Sequence, residues 1–250
     1  MSDLADNHTV KAFDAELDQL RLVVLKMGGL VVDQIALARR ALRERNDEVA
    51  KTVVEREKEV NQLDTEGEEL AFRIIARRQP IASDLRVVLS MMKTLTDLER
   101  CGDEAKKIAK TARKLTVDEV EPVPEFSRAI DRMSELAGKL LREIVEALDT
   151  FDAQKAVSVA AEDRHLNWEY KQGLRLVHET LSRDPGRIEH AAEIVIVLKA
   201  LERIGDHAKN IAKYVVYVVQ GRDVRHIKTK KLAKEMGAEV SPPPGKPDGS

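Results

Sequence analysis

The second half of this chain repeats the first. Met27 aligns with Met133, Leu42 with Leu148, Ala50 with Ala156, Val53 with Val159 and Asn61 with Asn167, each pair 106 residues apart. Pro80 and Pro185 stand 105 apart. Leu98-Glu99-Arg100-Cys101-Gly102-Asp103 returns at an interval of 103 as Leu201-Glu202-Arg203-Ile204-Gly205-Asp206. Such a chain is expected to fold as two copies of one unit, so the unit is what has to be read.

Within the unit, apolar residues recur at helical steps. Phe13, Leu17, Leu20, Val24, Met27, Val31, Ile35, Ala38 and Leu42 form one stripe, a helix of about eight turns. Asn46-Asp47 reads as a turn and cap. A second stripe of Val49, Val53, Val60, Leu63, Leu70 and Ile74 runs until Pro80 stops it. Ser83 is placed to cap a third helix carrying Leu85, Val88, Met92 and Leu95. No segment alternates with period two. One stripe cannot bury itself, whereas three can close around a core. The expected fold is all-α: two tandem three-helix bundles, residues 8–115 and 126–227, joined by a linker over 116–125 that contains Pro122 and Pro124. Gly221 should end the last helix. Residues 228–250, basic at Lys228, Lys230, Lys231 and Lys234 and then rich in Pro and Gly, are expected to be a disordered tail.

Composition narrows the function. A formal net charge of -2 offers no basic face for nucleic acid. No apolar run approaches the length of a membrane span, and the opening MSDLADNHTV lacks the basic-then-apolar order of a signal peptide. A cytoplasmic protein is expected. There is no nucleophile motif, Gly-rich phosphate loop or cysteine metal signature, so neither catalytic residues nor an enzyme are expected. Cys101 reads as a small packed hydrophobe, since Ile204 stands at its counterpart, and His207 as a surface histidine.

The repeated segment holds the candidate chemistry. Glu99 and Asp103, like Glu202 and Asp206, are four apart and share a helix face, where like charges repel. Glu99 also continues the apolar stripe, four residues after Leu95. Between the acids stands a glycine, Gly102 or Gly205, costing about 1 kcal/mol relative to alanine in a helix. A bound cation would offset both penalties, and the glycine would admit a second helix. That helix contributes Glu57 with Asn61 in the first half and Asp163 with Asn167 in the second. Each half would then present three carboxylates and one amide, a set suited to Mg²⁺, Mn²⁺ or iron. The alternative is a metal-free helical scaffold or adaptor whose acids pair with Arg100, Arg203, Lys106 or Lys209.

With these segments in view, the sequence resembles the PhoU family from Phe13 to about Ile227. Gln79-Pro80-Ile81-Ala82-Ser83-Asp84-Leu85-Arg86 is similar to that family's Q-P-x-A-x-D-L-R signature, and Glu202 to Ala212 to its second repeat. The resemblance implies two three-helix bundles and an E/D-x-x-x-D motif that binds metals, including iron or zinc clusters. Glu99/Asp103 and Glu202/Asp206 match that motif; Glu57/Asn61 and Asp163/Asn167 match only if asparagine stands for the last acid. It further implies a negative regulator of phosphate uptake and of the phosphate-starvation response, coupling the Pst phosphate transporter to the sensor kinase PhoR and lying at the membrane only through such partners. A homodimer is expected. Asp84 and Arg86 have no counterpart in the second half and are the candidate partner-binding residues. The local alternative is that Asp84 favours the helix dipole and Arg86 pairs nearby.

Overall fold

The computed structural model describes residues 2–117 and 122–238, with side chains from residue 12 onward. Three long helices form the first bundle: α1 (Ser2–Glu44), α2 (Asp47–Arg78) and α3 (Ala82–Val117). Three more form the second: α4 (Pro124–Asp149), α5 (Ala153–Arg183) and α6 (Ile188–Gln220). Among the described residues there is no strand, and no helix is long and apolar enough to cross a membrane.

The duplication extends to the turns. Arg45 and Phe151, 106 apart, both take φ of +49°, the left-handed conformation that ends a helix. In each turn the next residue's amide reaches back into the preceding helix: Asn46 N to Ala41 O at 3.1 Å, and Asp152 N to Ala147 O at 2.9 Å. That residue then caps the following helix. Asn46 accepts from Val49 N at 3.1 Å and Asp152 from Lys155 N at 2.9 Å. Ser83 is no cap. It lies inside the first turn of α3, with its hydroxyl on Asp84. Gly221 ends α6 with φ of +67°.

The stripe residues of α1 from Leu20 to Ala38 are almost fully buried, in one continuous core that spans both bundles. The bundles join along two seams, α1 against α4 and α3 against α6. The second seam is polar. Asp97, Cys101 and Glu104, at steps of four and three on α3, all meet α6. Asp97, 2% exposed, faces His207 Nδ1 at 2.7 Å and accepts from the Tyr214 hydroxyl at 2.9 Å and Asn210 Nδ2 at 3.4 Å. Burial and this carboxylate push the Tyr214 hydroxyl pKa well up. His207 is therefore a buried partner of Asp97, correcting its assignment to the surface. An Asp–His contact lets the imidazole enter a core that would otherwise exclude it. Glu104 is held by Lys107 at 2.7 Å and by Arg203 across the seam at 2.9 Å. Cys101 is fully buried, as a small hydrophobe should be, with Sγ 4.0 Å from Ile204 O.

The expected disordered tail is corrected for its first part. Thr229–Met236 forms a short helix, α7, because Leu232 and Ala233 have a place to go. They pack with Ala153, Val157, Val216 and Val224 in a small satellite core. The Pro-rich stretch from 241 lies outside the described residues. Leu232→Ala should therefore destabilise the protein by roughly 2 kcal/mol. Urea unfolding checks this, and a midpoint unchanged from wild type would show that α7 contributes nothing.

Candidate cation site

α2 and α3 approach closely where Gly102 replaces a side chain. A Cβ there would stand 3.1 Å from Glu57 Oε2 and 3.3 Å from Gln34 Oε1. The glycine thus makes room for a carboxylate from the neighbouring helix, as its position between two acids suggests. Glu57, Glu99 and Asp103 each bring one oxygen to within 4.8 Å of the others, the one such acidic group among the described residues. Glu57 is 2% exposed, Glu99 half-buried and Asp103 exposed, so the set runs from core to solvent.

This set is poorly compensated. Glu57 Oε2 accepts one long bond from buried Gln34 Nε2 at 3.3 Å, and Oε1 has no partner. Burial, above all, raises the Glu57 pKa; Asp103 and Glu99 add to the rise, against Gln34 and Lys106. Burial likewise raises Glu99, helped by Asp103 and Asp64. Asp64, seven residues after Glu57 on α2, has a buried Oδ1 without a partner, and burial and Glu68 raise its pKa. Sequence reasoning missed Asp64 and Gln34. Asp64 could have been found from its seven-residue step from Glu57; Gln34 gave no signal, being one polar residue inside an apolar stripe.

The second half places its counterparts differently. A Cβ on Gly205 would stand 2.8 Å from Asp163 Oδ1, so the close approach is repeated. Asp163, 4% exposed, accepts from Lys209 Nζ at 2.9 Å and Asn167 Nδ2 at 2.8 Å. Lys209 also lies 3.5 Å from Asp206, and Lys199 lies 2.5 Å from Glu202. Burial raises the Asp163 pKa despite Lys209. Asn167 thus binds its own helix's acid, while Asn61 is exposed. Of the single-copy pair, Asp84 is part-exposed beside Ile81, a large apolar residue 78% exposed. Arg86 packs against the end of α6: its Cζ lies 3.4 Å from where a Cβ on Gly221 would stand. A cation there favours the helix C-terminus.

Comparison with known proteins agrees with this frame. The family model described as the PhoU domain matches residues 24–112 and 130–215, one copy in each bundle. The phosphate-specific transport system accessory protein PhoU homolog of Pseudomonas putida is 39% identical over 97% of this chain and 96% of its own length. The Escherichia coli K12 accessory protein PhoU is 33% identical over 94% and 97%. The crystal structure of PhoU from Pseudomonas aeruginosa superimposes with a TM-score of 0.81 at 40% identity, covering 84% of this chain and 100% of that one.

Glu57 also sets a pH dependence. A carboxyl whose pKa is higher folded than unfolded binds more protons in the folded state, so its contribution is full below the ordinary value of 4.5 and is lost as pH rises through the raised one. Metal-free Glu57→Gln should consequently be more stable than wild type at pH 7, with the gain vanishing below about pH 4.5. Thermal melts in chelator across pH 4 to 8 test this; a variant less stable at pH 7 would show that the Glu57 charge is already compensated. Duplicated domain, matched helices and near full-length similarity together place the chain in the PhoU family.

Proposed function

We propose that this chain is an accessory regulator of phosphate-specific transport that restrains uptake and damps the phosphate-starvation response when phosphate is plentiful. In this reading it does so by coupling the Pst transporter to the PhoR sensor kinase. The observation that carries the proposal is family membership across both halves, with relatives of nearly the same length named for that transport system. The exposed turn with Ile81 and Asp84 is the surface assigned to those partners; the second-half turn exposes Ile188 but has Arg187 where Asp84 stands. Arg86 acts there through its place against α6. Deleting the gene and growing cells in excess phosphate should give a constitutively high starvation reporter, lowered again by wild type but not by an Ile81→Asp, Asp84→Asn variant. A reporter that stays low after deletion would refute the regulatory role.

The reading includes a cation held by Glu57, Glu99 and Asp103. Its support is a fully oxygen-based set with an orphaned buried oxygen on Glu57. Such a set suits hard or borderline ions, Mn²⁺, Mg²⁺ or iron, ahead of zinc. A bound ion would add positive charge beside Glu57 and Glu99, beyond the Lys106 that Asp103 already holds, and tie α2 to α3. Mn²⁺ should then raise the wild-type melting temperature more than that of the Glu99→Ala, Asp103→Ala variant. Equal shifts would leave the metal-free scaffold as the better account.

A further inference from the structure

The two halves carry the same motif with opposite provision of positive charge. In the first, Lys106 pairs with Asp103 at 3.0 Å, and among the described residues no lysine or arginine forms an ion pair with Glu57 or Glu99. In the second, every acid of the set is paired: Asp163 and Asp206 with Lys209, and Glu202 with Lys199. Lys106 and Lys209 are counterparts, 103 apart, and their side chains are equally exposed at 28%. What differs is the buried acid. Glu57 is one methylene longer, and its carboxylate reaches Glu99 and Asp103. Asp163 is shorter, and the Lys209 ammonium stands against it and Asp206.

Neighbouring substitutions push the same way. Asp64 of the first half is replaced by Tyr170 in the second, and Thr96 by Lys199, which also lies 5.5 Å from the Tyr170 ring centre. The first set therefore gathers four carboxylates around one lysine, and the second three carboxylates around two lysines. An ammonium already within hydrogen-bond distance of a 96%-buried carboxylate fills the role of an ion, and a divalent cation would have to displace it against charge repulsion.

We infer that Lys209, with Lys199, is a built-in counterion that closes the second acidic set to metal, leaving one open cation site per chain in the first half. The inference rests on the cation reading above for its open half only; the closed half stands on its own contacts.

The test is equilibrium dialysis of the full chain against Mn²⁺. Asp163→Asn should bind as much as wild type, and Lys199→Thr with Lys209→Ala should bind one ion more. In chelator, the lysine variant should melt on the order of 5 °C below wild type because Asp163 is left buried with no counter-charge, and Mn²⁺ should recover that loss. An ion lost in Asp163→Asn would overturn the inference, as would no gain in the lysine variant. Should the lysine variant fail to fold, the isosteric Asp163→Asn decides. Glu57→Gln tests the first half separately. If wild type binds nothing while the lysine variant binds one ion, the open site is refuted and the closed one upheld.

Discussion

A carboxylate withdrawn from water must find donors or cations, or it will hold on to a proton. Four among the described residues, Glu57, Asp97, Glu104 and Asp163, are at most 4% exposed, and the way each is satisfied arranges the structure around it. Asp97 takes three partners from α6 and so fixes how the bundles meet. Glu104 takes Arg203 across the same seam. Asp163 takes a lysine and an amide from its own bundle, both on Oδ2, and its Oδ1 is without a partner. Glu57 has one long bond from Gln34 and an empty oxygen. The chemical interest of the molecule lies at the carboxylate with least support.

Duplication explains why these sites are comparable, and divergence why they are not equivalent. The turns kept their left-handed residue and their cap over 106 positions because backbone geometry admits few alternatives there. Side chains facing the helix seams were freer. Gln34 became Leu140, Asp64 became Tyr170, Thr96 became Lys199 and Asp97 became Ala200 in the corresponding positions. Each change alters charge or hydrogen bonding, and none changes the helix. One backbone thus supports a polar seam, an acidic cleft and a lysine-closed cleft.

Much of this was legible in the residues. Stripes such as Leu20 to Ala38 identify core because each helix must bury one face, Asn46 marks a helix start because its side chain can cap, and Gly221 marks an end because it takes a positive φ. The approach of Glu57 to Glu99 and Asp103 follows from helical spacing and a glycine. The second buried face of α3 did not show, because Asp97 and Glu104 look like solvent-facing acids until their partners on α6 are known. His207 was misread for the same reason: its partner is 110 residues away. The helix over 229–236 is not evident in the residues because α7 buries just Leu232 and Ala233, with Met236 partly covered, in a core otherwise made by other segments.

Glu99 and Asp103 stand on the same turns of α3 as Cys101 and Glu104, which touch α6. A helix is stiff over two turns, so charge placed on its α2 side is felt by a rod that is also clamped on its α6 side. Lysine closure in the second half makes α5 and α6 cohere without outside help. In the first half α2 and α3 hold Glu57, Glu99 and Asp103 together with Lys106 as the one lysine paired into the set. The same two helices meet at the turn bearing Ile81 and Asp84. An ion that ties α2 to α3 would shift the population of that turn by its differential affinity for the turn's conformations and no more. Through that shift, an ion in the acidic cleft would become visible to a protein docked on Ile81.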